Sequence, residues 1–136
     1  MADKNFRLEV ISPDRVFYEG DVEMIEFSST DGDLGILAGH VPLTTTLEPG
    51  ILKIHEQGGV MKKAALHSGF VTILPKTVTI LAEVVEWPEE IDINRANEAR
   101  IRAERRIKSP AEEGGVDVLR AELALKRAIA RINILK

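Results

Sequence analysis

The pattern of apolar residues changes abruptly near Trp87 and Pro88, and this change constrains the fold more than any other feature of the 136-residue chain. Before it, short runs that alternate apolar and polar side chains are separated by turn residues such as Pro49-Gly50, a pattern typical of antiparallel strands. After it, apolar residues recur at helical spacing. The sequence therefore predicts a β + α architecture, with an antiparallel β-sandwich domain at residues 1–87 followed by a two-helix antiparallel hairpin at residues 88–136.

The charge of the chain divides at nearly the same point as the pattern. Residues 1–90 carry 7 Lys and Arg against 15 Asp and Glu, whereas residues 91–136 carry 11 against 7. The second part is too short to bury a core of its own, and isolated helices of this length are marginal in water. It must therefore dock on another surface, pair with itself marginally or use a partner, which indicates a role in assembly or switching.

The composition argues against an enzyme. The chain contains no cysteine, so disulfides, thiolate metal sites and thiol nucleophiles are excluded. It also lacks a GxxxxGK phosphate loop, so we do not expect this chain to hydrolyse a nucleotide. The histidines His40, His55 and His67 show no metal-type spacing, and each is interpreted as a structural or surface residue.

The sequence contains no segment with the pattern of a targeting or membrane-spanning element. The N-terminal residues lack the apolar run of a signal peptide. No stretch approaches the roughly 20 apolar residues that span a bilayer. We therefore expect a soluble or peripheral intracellular protein.

Helix signals dominate the second part of the chain. Asp92 is predicted to be the N-cap of a first helix that runs to about Lys108. Pro110 disfavours the α conformation at Ser109, and Glu112 to Gly115 form a polar turn before a second helix predicted from about Asp117 to Leu135. The two helices are expected to form a hairpin.

Small apolar residues recur at intervals of three and four on both predicted helices and define where the helices meet. Alanine permits close approach but buries little area, so at about 25 cal/mol per Å² the contact is held by a small margin and such a hairpin can open. The predicted contact residues are Ala96, Ala99, Ala103 and Ile107 on the first helix and Val118, Ala121, Leu125, Ala128, Ile132 and Leu135 on the second.

Each helix also carries a stripe of arginines beside its apolar face. Folded together, the two stripes could flank one groove, in which planar guanidinium groups suit phosphate oxygens. The alternative is a solvated face with pairs such as Glu98 and Arg102, and spacing alone leaves both interpretations open. A nucleic-acid arm is disfavoured because no aromatic residue follows Trp87. The stripes are Arg95, Arg102 and Arg106 on the first helix and Arg120, Arg127 and Arg131 on the second.

Five strings, in order along nearly the whole chain, make the sequence similar to the epsilon subunit of bacterial F-type ATP synthases. Each string falls on the element type predicted for it, and their common register makes the resemblance specific. The strings are DGDLGILAGHVPL (31–43), SGF (68–70), VTILAE (78–83), IDINRA (91–96) and RAELALKRAIARI (120–132).

The resemblance implies a sandwich that sits at the foot of the rotor, bound to the gamma subunit and to the membrane ring of c subunits. Asp33 and His40 take the family's acidic and histidine positions, which face the polar loops of the c-ring. Ala38 stands where the family usually has proline, which lowers the rigidity of the loop. The alternative for Asp33 and His40 is a plain turn.

The string IDINRA matches the nucleotide motif of epsilon subunits that bind ATP. The resemblance therefore implies a regulatory ATP site in which a carboxylate recognises the adenine amino group and arginines neutralise the triphosphate. Whether magnesium accompanies the nucleotide stays open. The implied site residues are Glu86, Ile91, Asp92, Arg95, Ala96, Arg102, Arg127 and Arg131.

The resemblance also implies a mechanism for a non-catalytic rotor subunit at the cytoplasmic face of the bacterial plasma membrane, attached to it only through the complex. The hairpin would fold on the sandwich when ATP is bound and leave the motor free. Extended along gamma, it would contact the alpha and beta catalytic subunits and inhibit hydrolysis. The alternative is a purely structural coupling subunit that does not sense ATP.

Overall fold

A computed structural model describes residues 4–108 and 118–136 of the chain. A β domain of seven strands precedes two helices, α1 (Ile93–Lys108) and α2 (Val118–Ile134). The prediction of a sandwich followed by a helical hairpin is therefore confirmed. The predicted turn after Pro110 and the predicted helix start at Asp117 lie outside the described residues. The strands are β1 (Phe6–Ser12), β2 (Arg15–Ser29), β3 (Gly32–Leu37), β4 (Leu43–Leu47), β5 (Gly50–Glu56), β6 (Met61–Ile73) and β7 (Thr77–Glu86).

The strands pair in the order β1-β7-β6-β4-β2-β3, with β5 between β2 and β6 and a further pairing of β1 with β2. The long strand β2 pairs with β1 over residues 15–22 and with β3 over residues 24–29. The expectation that every strand has antiparallel neighbours is wrong for one pair, because β1 runs parallel to β7. Strands from opposite ends of the domain need no tight turn between them, so this pair is free to be parallel.

The core of the sandwich is formed by alternating positions on the strands, as period-two patterning requires. On β1, Phe6, Leu8 and Val10 are buried while the residues between them are partly exposed. The other large buried side chains include Ile25, Ile36, Leu52, Ile54, Leu66, Ile73 and Ile80.

The residues of β6 that point into the core switch from even-numbered to odd-numbered positions at Ser68 and Gly69. Before this point Ala64 and Leu66 belong to the core, and after it Val71 and Ile73 do. Ser68 has a left-handed φ of 36° and Gly69 a φ of 153°. A Cβ on Gly69 would lie 2.0 Å from the Leu81 carbonyl oxygen, so only glycine fits there. In the part of β6 before Ser68, the side chains that point away from the core therefore lie on the side of the helices.

The start of α1 and the end of α2 lie close to their predicted positions. The Asp92 carboxylate accepts hydrogen bonds from the backbone N–H groups of Asn94 at 2.9 Å and Arg95 at 3.2 Å, which confirms it as the N-cap of α1. The small residues Ala96, Ala103, Ala121 and Ala128 are buried as predicted for the contact between α1 and α2.

Two parts of the predicted helix contact are corrected by the structure. Val118 and Leu135 are exposed, because one begins α2 and the other follows its last residue. Ala130 and Ile134 are buried instead, and α2 packs on β5 and β6 as well as on α1. The second helix therefore has two buried faces, one toward its partner helix and one toward the sandwich.

We expect Gly69→Ala to lower the free energy of unfolding by about 3 kcal/mol, because its Cβ collides with backbone that cannot move aside cheaply. The matched control is Gly58→Ala. Gly58 also has positive φ, at 80°, but has open space around it, so only about 1 kcal/mol should be lost. Urea unfolding followed by Trp87 fluorescence measures both. Equal losses in the two variants would show that crowding at Leu81 is unimportant.

Candidate functional site

A cavity of about 310 Å³ lies where the sandwich passes into the hairpin, and we call it the junction cavity. It is bounded by the end of β7, the first half of α1 and the last turn of α2. Residues from the first half of α1 and from the last turn of α2 line it together, which shows that the two helices are antiparallel. All of the ATP-site residues implied by the sequence line this cavity except Arg127. Its lining is Glu86, Glu90, Ile91, Asp92, Arg95, Ala96, Ala99, Arg102 and Arg131.

The segment that leads into the cavity is fixed to the sandwich by two contacts. The Trp87 ring stacks on Phe17 with 4.2 Å between ring centroids. The Glu90 carboxylate accepts two hydrogen bonds from the Arg15 guanidinium, at 2.7 and 2.9 Å. These anchors hold the start of α1 against the sandwich, so the wall formed by Asp92 and Arg95 has a defined position.

The α1 wall of the cavity results from helical spacing. Asp92, Arg95, Ala99 and Arg102 follow one another at intervals of three or four and so share a face. Ala96 and Ala99 leave room between the charged side chains, because alanine projects little from the helix. On this wall, charged side chains therefore surround the small side chains of the two alanines.

The charges of the cavity are only partly neutralised. The Arg131 Nε donates a 2.7 Å hydrogen bond to the Glu86 Oε1, and these two side chains are 29% and 22% exposed. Within the described part of the chain, Arg95 and Arg102 have no ion pair. Two guanidinium groups therefore face the cavity without a carboxylate partner, an arrangement that favours an anion.

His67 adjoins this site from the sandwich side. Its Nε2 lies 3.4 Å from the Glu86 Oε1, but neither ring nitrogen makes a hydrogen bond with the described residues. Burial and, after it, the nearby positive charge of Arg131 lower the pKa of His67 to about 4, and the opposing effect of Glu86 does not offset them. The ring is therefore neutral at physiological pH. The sequence interpretation of His67 as a structural histidine did not identify its contact with Glu86.

Arg127 lies one helical turn before Arg131 and outside the junction cavity. Its Nη2 is 3.4 Å from the Ser68 Oγ, to which it donates, and 4.0 Å from a Glu83 carboxylate oxygen. In this conformation Arg127 contacts the sandwich and does not join the other site residues.

The two residues expected to face the c-ring lie at opposite ends of β3. Asp33 is next to the first residue of the strand and accepts a 2.8 Å hydrogen bond from the Ser28 hydroxyl. His40 lies in the loop after the strand, where its Nδ1 is 2.6 Å from the Val41 carbonyl oxygen. The strand from Asp33 to Leu37 and a turn at Ala38 and Gly39 separate the two residues.

An exposed apolar surface on the sandwich was not identified from the sequence, and we call it the outer apolar patch. Phe70 and Leu81 are paired across β6 and β7 and are 58% and 51% exposed. A signal was available in the string GFVTIL, where Phe70 and Val71 are consecutive and cannot both point inward on a strand. The lining of the cavity at this patch is Ile11, Ser12, Pro13, Thr46, Gly69, Phe70, Leu81, Ala82 and Glu83.

Neither described helix combines the length and apolar character needed to cross a bilayer. Residues 4–108 and 118–136 also contain no cluster of three or more potential metal-ligating His, Cys, Asp or Glu side chains.

Comparison with known proteins gives one consistent family. Profiles of the ATP synthase delta/epsilon chain match the whole described fold, the β-sandwich domain at residues 5–88 and the long α-helix domain at residues 89–136. The ATP synthase epsilon chain of Clostridium kluyveri is 46% identical over 130 residues, which are 96% of each chain. That of Bacillus pumilus is 41% identical over 131 residues, 96% of this chain and 97% of the relative.

Solved structures give the same fold. A chain in the Euglena gracilis mitochondrial ATP synthase (OSCP/F1/c-ring) superposes with a TM-score of 0.86 at 25% identity, covering 100% of this chain and 84% of that one. A chain in the central stalk and c-ring of the Tetrahymena thermophila mitochondrial ATP synthase shares the fold at a TM-score of 0.57 and 16% identity, covering 99% of this chain and 96% of that one. With profile matches over both domains and relatives above 40% identity along nearly the full length, the chain belongs to the delta/epsilon family of ATP synthase subunits.

Proposed function

We propose that this chain is a non-catalytic central-stalk subunit of an F-type ATP synthase, whose helical hairpin responds to ATP bound in the junction cavity. One observation carries the proposal: residues implied by the nucleotide motif, from the sandwich and from both helices, line a single cavity. Family membership supplies the complex in which the subunit works.

The cavity has the chemistry that ATP requires. Arg95 and Arg102, which lack ion pairs among the described residues, would bind phosphate oxygens, and their charge would offset the repulsion within the triphosphate. The Asp92 Oδ1 is occupied by the helix cap, which leaves its second oxygen to accept from the adenine amino group. At about 310 Å³ the cavity lies at the small end of the roughly 300–1,000 Å³ range of small-molecule sites, so part of the nucleotide would extend into solvent.

Binding in this cavity would select one state of the hairpin. A ligand that touches Glu86, Arg102 and Arg131 bridges the sandwich, α1 and α2, and these three come together only when the hairpin is docked. A ligand shifts an equilibrium only by its difference in affinity for the two states, and a hundredfold preference corresponds to about 2.7 kcal/mol. The undocked hairpin, rich in arginine, would then be free to contact acidic surfaces of the alpha and beta subunits and inhibit hydrolysis.

The sandwich would join the rest of the rotor through two surfaces. The outer apolar patch fits the gamma subunit, because exposed aromatic and aliphatic side chains in a contiguous area mark protein interfaces. The β3 edge with Asp33, and the following loop with His40, would face the c-ring. Through these contacts the subunit would lie at the cytoplasmic face of the bacterial plasma membrane without inserting into it.

A second candidate function is a coupling subunit that does not sense ATP. It is favoured by the polar contacts that already attach α2 to the sandwich without a ligand, namely Arg131 with Glu86, Lys126 with Glu48 and Arg127 with Ser68. In that case the arginines of the cavity serve only to hold the hairpin or its partners.

Calorimetric titration of the isolated chain with ATP distinguishes these functions. We expect saturable binding of one ATP per chain, weakened at least about tenfold by Arg102→Ala, because a charge-assisted hydrogen bond contributes about 1.5–3 kcal/mol. The matched control is Arg100→Ala, which removes the same charge from the same helix. Arg100 pairs with Glu104 and lies outside the cavity. No heat with the unmodified chain at millimolar ATP would exclude ATP sensing and leave the coupling function.

Binding of the chain to isolated gamma subunit tests the outer apolar patch. We expect Phe70→Ser to weaken the complex by about 2 kcal/mol, or roughly thirtyfold, because a central aromatic side chain often dominates an interface. Val60→Ser is the control, since Val60 is also an exposed apolar residue, 51% exposed, but lies outside the patch. Surface plasmon resonance gives both affinities. Unchanged binding of the Phe70 variant would assign gamma to another surface.

A further inference from the structure

His67 is buried by the hairpin and not by the core of the sandwich. On β6, Ala64 and Leu66 point into the core, whereas His67 lies on the opposite face of the strand. The side chain is nevertheless only 1% exposed. Since α2 packs on β6, the cover over His67 comes from α2, and a hairpin that left the sandwich would return the ring to water.

The groups around His67 leave no favourable place for a proton on its ring. From β7, Glu86 approaches it at 3.4 Å, but the same Glu86 oxygen already accepts the 2.7 Å hydrogen bond from Arg131. From α2, Arg131 and Arg127 both repel a positive charge at this position, and Glu83 of β7 lies beside Arg127 at 4.0 Å. A charged His67 would therefore be a third cation, poorly solvated, that competes with Arg131 for one carboxylate.

We propose that His67 makes docking of the hairpin sensitive to pH, with its protonated form releasing α2 from the sandwich. The inference rests on the proposed function in one respect, that the hairpin can leave the sandwich. It adds a second input to that change, one that acts also when no nucleotide is bound. Acidification would favour the undocked hairpin, which under the proposed function is the inhibitory state.

The direction follows from the two protonation equilibria. The docked state holds the pKa of His67 at about 4 through burial and the arginines, whereas an exposed histidine has a pKa of about 6.5. The contribution of neutral His67 to docking is complete above pH 6.5 and is lost as the pH falls from 6.5 toward 4. Between pH 8 and pH 5.5 the docking equilibrium constant should fall about tenfold.

Energy transfer between two dyes measures docking directly, and the absence of native cysteine allows specific labelling. Lys76→Cys on the sandwich and Glu122→Cys on α2 provide exposed positions outside the junction cavity. We expect the docked fraction to fall between pH 8 and pH 5.5 in this labelled chain and to stay constant when His67→Gln is added. His55→Gln is the matched control, because His55 is a partly exposed histidine paired with Glu26 at 2.8 Å and should leave the pH dependence intact.

Two results would overturn the proposal: a docked fraction that ignores pH in the labelled parent, or the same pH dependence after His67→Gln. Nitrogen-15 NMR of the histidine rings in the unsubstituted chain gives a test that needs no variant. His67 should titrate below the ordinary value of about 6.5, and an unshifted titration while α2 remains docked contradicts the proposal. Adding ATP to the labelled chain at pH 8 separates the two ideas, since a missing response there removes ATP sensing and leaves the pH dependence untouched.

Discussion

The ion pair between Arg131 and Glu86 is the contact on which the arrangement of the helices depends. Glu86 is the last residue of β7 and Arg131 lies in the last turn of α2, so this one pair joins the end of the sandwich to the end of the chain's second helix. With both side chains less than one third exposed, the pair is better shielded than a surface salt bridge, and breaking it by removing one partner leaves the other charge poorly solvated. Both residues line the junction cavity together with residues from the start of α1.

The Glu86 carboxylate is shared by Arg131 and His67, two of the groups through which the state of the hairpin could change. Arg131 takes one of its oxygens, and His67 approaches that oxygen without completing a hydrogen bond. A phosphate that attracts Arg131 would free Glu86, and a proton on His67 would draw Glu86 away from Arg131. Because both events act on one contact, ligand binding and protonation are expected to be linked in the docked state, each changing the free energy of the other.

Local signals in the sequence predicted the helical part well, and the strands less completely. Asp92 caps the start of α1 as expected, because a capping carboxylate acts within a few residues. The parallel pairing of β1 with β7 could not be predicted in this way, since it joins segments about seventy residues apart. Likewise Ala130 and Ile134 are buried by the sandwich, which the pattern of a single helix does not reveal.

At the candidate site, the motif and the residue spacing predicted the residues of α1 that line the cavity. The contact of His67 with Glu86 was not predicted. It depends on which residues of β6 point inward on either side of Gly69, and a local sequence pattern does not show where that set changes.

The free energy of docking the hairpin on the sandwich is comparable to the free energy that binding of a small ligand can supply. The contact between α1 and α2 is lined by alanines, each of which contributes little burial. Two of the polar contacts of α2 with the sandwich, Lys126 with Glu48 and Arg127 with Glu83, are exposed enough that each contributes at most about 1 kcal/mol. Docking therefore rests on a few kcal/mol, comparable to the roughly 2.7 kcal/mol that a ligand with a hundredfold preference supplies. A leucine-rich contact would bury more area and hold the hairpin against such a ligand, so a contact made of alanines suits the proposed change of state.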